Sequence, residues 1–207
     1  MNTPSNVLTN ESMVASIIDD LATQGWSKQK FFFPPELSTE LAKECYQRAQ
    51  RGQLAPAAIG RGSTKVVHEN IRGDHIQWLD SGHHQAIDDY LVLMEQLRVE
   101  INQSLFLGLD DFESHFTLYP PGAFYKKHLD RFRDDDRRTV SCVSYLNENW
   151  LPEQGGALRM YLNDNQIYDV IPQSGTLIIF MSAQWPHEVL PATRDRLSVT
   201  GWFRRRA

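Results

Sequence analysis

Apolar residues in the first half of the chain recur every three or four positions, whereas in the second half they fall in short runs bounded by turn residues. Met13, Ile17, Ile18 and Leu21 share one helical face, with Asn10 placed to cap the helix and Gly25 to end it. The run Lys30 to Phe33, stopped by Pro34 and Pro35, predicts a short strand. A second helix is predicted from near Glu36, with Leu37, Leu41 and Cys45 on one face. A third covers roughly Gln85 to Phe106 and carries Ile87, Tyr90, Leu91, Met94, Leu97 and Ile101. All three stripes read as core packing. The segment Leu54 to Ser63, rich in Ala and Gly, reads as a loop. From Phe112 onward the pattern predicts strands over His115 to Tyr119, Ala123 to Leu129, Thr139 to Leu146, Ala157 to Tyr161, Gln166 to Ile171, Thr176 to Met181 and Arg196 to Phe203. The fold class is therefore mostly β with flanking helices. Seven or eight short antiparallel strands suggest a jelly roll, whose open mouth lets side chains from several strands converge.

Composition narrows this picture. The 207 residues suit one domain, 1–207, with residues 1–111 as helical support and 112–207 as a catalytic core. The chain is 41% hydrophobic and 23% charged, ordinary for a soluble globular protein. No apolar run approaches a membrane span, and the first residues lack the basic and apolar regions of a signal peptide. Two cysteines, Cys45 and Cys142, are too few for a disulfide framework, so a cytoplasmic location is expected. The net charge of −5 argues against a nucleic-acid partner, and no membrane partner is expected; a monomer is.

The candidate chemistry lies in the β-rich half. His128 and Asp130 are two positions apart within a strand-like run, so alternation would put both on one face. His187 stands far downstream beside another strand-like run, and Arg196 follows it. Two imidazoles and one carboxylate make the facial triad of non-heme iron(II) oxygenases, with coordination positions left open. A single His-x-Asp is weak evidence among 7 His and 26 acidic residues. The ordered set His-x-Asp, His, Arg, each beside a strand, is far more restrictive. An arginine there suits the distal carboxylate of an anionic co-substrate, which suggests 2-oxoglutarate-dependent oxygenation.

Five motifs occur in one order: Tyr119 to Gly122, His128 to Asp130, Ser144 to Asn147, Gly155 to Arg159, and Pro186 to Pro191 followed by Arg196. In this the chain resembles the prolyl 4-hydroxylases that act on hypoxia-inducible factor, especially their bacterial relatives, over about Ile71 to Trp202. The resemblance implies a double-stranded β-helix (jelly-roll) core with an N-terminal helical buttress. It also implies Fe(II) held by His128, Asp130 and His187, with 2-oxoglutarate and O2 as co-substrates and ascorbate as a reductant. Arg196 would hold the far carboxylate through a charge-assisted contact of ~1.5–3 kcal/mol. On the predicted strand Thr139 to Leu146, Tyr145 is in phase with Val143 and Ser141. Its phenol could donate to the same carboxylate while Val143 packs on the methylene chain. Pattern alone divides Tyr145 and Trp202 evenly between barrel core and pocket; the resemblance places both in the pocket, with Tyr119 and Leu158.

The turn containing Arg72, Gly73 and Asp74 resembles the loop that covers a bound peptide in this family, although sequence alone would read it as a solvated turn. The cluster Arg131 to Arg138 would border the mouth, and Arg204 to Arg206 reads as a solvated strand end. The leading function is hydroxylation of a proline in a protein substrate, with elongation factor Tu implied by the bacterial resemblance. The alternatives are a dioxygenase for a free amino acid or metabolite, and a low-turnover oxygen or 2-oxoglutarate sensor. Alkylation-repair dioxygenases fit less well, because their arginine pair spaced six residues apart is not found after His187 and the acidic balance of the chain is a poor match.

Overall fold

In the computed structural model, residues 11–57, 68, 70–131, 135–163 and 166–206 are described. The Asn10 cap, the loop residues 58–63 and residues 132–134 of the charged cluster lie outside them.

Three helices precede most of the strands. They are α1 (Glu11–Thr23), α2 (Pro35–Gln50) and α3 (Gln85–Leu105). Proline is tolerated at the start of α2, where its missing N–H costs no hydrogen bond. Phe106 ends α3 in the left-handed region at φ 54°. The strands are β1 (Trp26–Gln29), β2 (Ala55–Pro56), β3 (His75–Trp78), β4 (Leu109–Tyr119), β5 (Tyr125–His128), β6 (Arg138–Tyr145), β7 (Leu158–Tyr161), β8 (Ile167–Val170), β9 (Leu177–Met181), β10 (His187–Val189) and β11 (Arg196–Arg205). They form a seven-stranded sheet in the order β1-β9-β6-β11-β4-β3-β2 and a four-stranded sheet in the order β5-β10-β7-β8. All their strand pairs are antiparallel. This is the jelly-roll core with a helical buttress.

Alternation along the central strands sorts their side chains between two cores. Val140 and Cys142 of β6, Ile179 of β9, and Val199 and Phe203 of β11 join Ile17, Leu41, Ile87, Leu97 and Ile101 in the helical layer. The Tyr90 hydroxyl of α3 meets Ser144 Oγ at 3.2 Å, tying α3 to the same face. Each fully buried aliphatic here contributes roughly 1.5–3 kcal/mol. The alternate residues, Val143 and Tyr145 of β6 with Ile178 and Phe180 of β9, face the small sheet and pack with Leu158, Met160 and Val189.

Two expectations are corrected: within the stretch Leu54 to Ser63, read as a loop, Ala55–Pro56 forms β2 and pairs with β3, and the first strand is misplaced. Lys30 to Phe33 is not a strand; β1 lies before it, at Trp26–Gln29. Phe31 sits at φ 58°, and Phe32 and Phe33 turn into the helical core, with the Phe32 N–H donating to the Gly175 carbonyl at 2.9 Å. The polar β1 pairs at the sheet edge with β9, its buried Ser27 donating to Asp20 of α1 at 2.6 Å. Among the described residues, no helix is long and apolar enough to cross a membrane.

Candidate metal centre

The site follows from strand register. β10 pairs antiparallel with β5, and His187 lies directly opposite His128. β5 ends at His128, and the chain reaches Asp130 just beyond it. His128 Nε2 stands 3.5 Å from Asp130 Oδ1, and His187 Nε2 stands 3.7 Å from Asp130 Oδ2. One ligand atom from each of the three residues lies within 4.8 Å of the others.

Neighbouring groups fix the protonation of this cluster. His128 Nδ1 meets the Lys126 carbonyl at 2.7 Å, and His187 Nδ1 meets the Trp185 carbonyl at 3.0 Å. A carbonyl only accepts, so both Nδ1 atoms carry the proton and both Nε2 lone pairs face the cluster. Burial lowers the His187 pKa and keeps the ring neutral. Burial pushes the Asp130 carboxyl up, but the positive charge that His187 and His128 carry when protonated and a 2.7 Å hydrogen bond from Ser141 Oγ outweigh it, and its pKa lies well below the usual carboxylate range. Two neutral nitrogens and one carboxylate suit a divalent transition metal and leave a net charge of +1 on iron(II).

Deeper in the same chamber lies Arg196, 1% exposed. Its Nε donates to the Gly156 carbonyl at 2.8 Å. Its Nη2 is buried without a hydrogen-bond partner, and among the described residues it forms no ion pair. Its guanidinium carbon lies 5.1 Å from the Tyr145 ring and 5.2 Å from the Tyr119 ring. The Tyr145 hydroxyl and the Ser198 hydroxyl are likewise buried and unpartnered, and the two residues face each other in the β6–β11 register. Burying a cation and hydroxyls without acceptors is costly, so this corner calls for an anion with several acceptor oxygens. A cavity of about 280 Å³ joins Arg196 to the triad, lined among others by Tyr119, Val143, Leu158 and Trp202; Tyr145 and Ser198 are not part of that lining. The residues therefore fit a chelating dicarboxylate held between a metal and Arg196.

At the mouth, Arg72 and Asp74 line the cavity but are paired with each other, by 2.7 Å and 2.6 Å hydrogen bonds. Gly73 is absent from the lining; its N–H donates to the Phe124 carbonyl. The terminal arginines are ion-paired as well, Arg204 with Asp111 and Glu113, and Arg206 with Asp110.

Sequence reasoning assigned no role to several neighbours. Ser141 and Ser198 stand in strand phase with residues it did single out. Tyr125 begins the metal motif and stacks on His128 at 3.6 Å. The Gly156 carbonyl lies in a recognised motif, but no side-chain signal marks a backbone acceptor. His115, between Trp78 and Trp202, showed no pattern that would have found it.

The sequence pattern of the 2OG-Fe(II) oxygenase superfamily matches residues 114–204. A Pseudomonas putida prolyl-4-hydroxylase structure is 58% identical and superposes with a TM-score of 0.88, covering 94% of this chain and 100% of that one. A Trichoplax adhaerens prolyl hydroxylase in complex with a hypoxia-inducible factor peptide is 28% identical, with a TM-score of 0.84, covering 99% of this chain and 94% of that one. Human prolyl hydroxylase EGLN3 is 30% identical over 77% of this chain and 67% of its own length. The Caenorhabditis elegans hypoxia-inducible factor prolyl hydroxylase is 29% identical over 95% of this chain, which spans only 29% of that protein. The chain belongs to the prolyl hydroxylases of the 2OG-Fe(II) oxygenase superfamily, a family of enzymes.

Proposed function

We propose that this protein hydroxylates a proline of a protein substrate, using Fe(II), 2-oxoglutarate and O2, with elongation factor Tu as the first candidate. The observation that carries the reading is the pairing of a His128–Asp130–His187 cluster with a buried, partly unsatisfied Arg196 in one cavity. In this reading His128, Asp130 and His187 hold the iron. Arg196 donates through Nη2 to the far carboxylate of 2-oxoglutarate, and the Tyr145 hydroxyl donates to the same group. Val143 and Leu158 pack against its methylenes, while Tyr119 and Trp202 wall the chamber against water. When bound, iron and 2-oxoglutarate supply oxidative decarboxylation to succinate and deliver one oxygen atom to a substrate C–H bond. No protein base is needed, and none is assigned.

The mouth between Arg72, Asp74 and Trp202 receives the peptide. Support for a protein substrate comes from the 58% identity to a prolyl-4-hydroxylase and from the peptide bound by the Trichoplax relative. Residues 1–207 work as one catalytic unit, a cytoplasmic monomer without nucleic-acid or membrane partners, and ascorbate restores oxidised iron.

The test is succinate release from 2-oxoglutarate with and without prolyl peptides, including one from elongation factor Tu, followed by mass spectrometry for one added oxygen. Peptide-coupled release with a hydroxylated proline is expected. Coupling only to free amino acids or metabolites would replace this reading with a small-molecule dioxygenase. Negligible release with every substrate would leave a sensor.

A further inference from the structure

Tyr125 and His128 stack nearly parallel, with centroids 3.6 Å apart and planes 15° from each other. The Arg72 guanidinium carbon lies over the Tyr125 ring, 4.3 Å from its centroid. Arg72 is locked to Asp74, whose side chain is fully buried. The backbone holds the assembly in place: Arg72 bridges Tyr125, Gly73 N–H donates to Phe124 O, and Lys126 N–H donates to Ile71 O, both at 2.9 Å. The segment Ile71–Gly73 thus extends the small sheet past its β5 edge, and its arginine is joined to a candidate metal ligand through one aromatic ring.

An aromatic ring carries negative charge on both faces. A guanidinium is attracted to one face, and an imidazole drained of electron density by a metal is attracted to the other. The stack therefore orients Nε2 of His128 and favours the metal-bound form of that ring. The Lys126 carbonyl limits rotation of the imidazole from its Nδ1 edge; the Tyr125 ring limits its tilt.

We propose that Tyr125 is a positioning residue that couples the Arg72–Asp74 segment at the substrate mouth to the iron-binding imidazole of His128. This rests on the reading of the triad as an iron site. A peptide in the mouth that tightens Arg72 on Tyr125 raises metal affinity, and by linkage the bound metal raises peptide affinity by the same factor.

The experiment titrates the full chain with Co(II), followed by its visible absorption bands, in wild type, Tyr125→Phe, Tyr125→Leu, Arg72→Gln and His187→Ala. Melting of each metal-free protein is measured in parallel. Tyr125→Leu should raise the Co(II) Kd roughly tenfold, the usual scale for partners that orient a ligand, and should shift the absorption bands. Tyr125→Phe keeps the ring and should stay near wild type; Arg72→Gln should fall between. A folded Tyr125→Leu with wild-type Kd and bands overturns the coupling, as does a Tyr125→Phe as weak as Tyr125→Leu. Should Tyr125→Leu fail to fold, an unchanged Kd in Arg72→Gln overturns it instead. If His187→Ala binds Co(II) like wild type, the iron site itself is wrong, a failure separate from that of the coupling.

Discussion

Arg196 offers the most direct quantitative test of the co-substrate pocket. Removing its side chain leaves the metal cluster untouched and takes away the one Lys or Arg side chain buried among the described residues, whose Nη2 lacks a partner. A charge-assisted hydrogen bond of about 1.5–3 kcal/mol is lost, so Arg196→Ala should weaken 2-oxoglutarate binding roughly ten- to a hundredfold. The same change strips the Gly156 carbonyl of its donor. That loss falls on the free and bound protein alike, and so appears in melting temperature and cancels from affinity. Arg194 is the matched control. It lies before β11 begins, is absent from the cavity lining, and places its guanidinium 5.1 Å from the Trp150 ring. Arg194→Ala should leave the affinity unchanged. Calorimetric titration of 2-oxoglutarate into protein loaded with redox-inert Mn(II) reads both variants without any peptide. Equal losses in the two, or a wild-type Kd in a folded Arg196→Ala, would refute the assignment of the anchor.

Three further outcomes are expected. Gly156 sits at φ +70°, and an added Cβ would lie 3.0 Å from Ala192 Cβ, 3.1 Å from Trp150 and 3.3 Å from Arg196 Cδ; Gly156→Ala should cost about 1–3 kcal/mol of stability and also weaken 2-oxoglutarate binding, read by denaturant melts and the same titration. Ser141→Ala removes the 2.7 Å hydrogen bond to Asp130 and should raise the Co(II) Kd roughly tenfold without unfolding the sheet; a wild-type Kd contradicts it. His115 is buried, and burial pushes its imidazole down to about 4 from 6.5. A lowered native pKa means that the unfolded chain binds the proton first, so stability is intact above pH 6.5 and falls as pH drops toward 4, by at most about 3 kcal/mol. His115→Gln should flatten that part of the stability profile in denaturant titrations across this range, and an unchanged slope would contradict the assignment.

Some of this was legible in the sequence and some was not, for definite reasons. α3 announced itself because it carries a long apolar stripe that its neighbours bury. The strands from β5 to β9 showed short apolar runs between turns. β10 is three residues long and too short to display a period, yet its register sets His187 opposite His128. β4 begins at Leu109, earlier than the predicted start at His115, because its first half shows only Leu109 and Phe112 to the helical core and is otherwise charged, held by Arg98, Arg138, Arg204 and Arg206. Lys30 to Phe33 misled for the opposite reason: buried apolar residues, here Phe32 and Phe33, anchor a turn to the helical core as well as they fill a strand. In the site, His128, Asp130, His187 and Arg196 were visible as residue types at telling positions. The backbone carbonyls of Lys126, Trp185 and Gly156, which fix two tautomers and one guanidinium, carry no residue-type signal and emerge only from the folded path.

β11 governs the chamber in a way that concerns which changes the chain can absorb. Its alternate residues Arg196, Thr200, Trp202 and Arg204 line the cavity from depth to mouth, while Leu197, Val199 and Phe203 fill the helical core. β4 and β6 grip it from both sides, with Gly201 held so close to Phe112 that a Cβ would lie 2.5 Å from the ring. A strand has period two, so inserting or deleting one residue within it would send every chamber residue beyond that point into the helical layer, and aliphatic residues into the chamber. Side chains along this strand can be exchanged one at a time, but its length admits no odd-numbered change, and its reading frame in space is as strict as that of a codon.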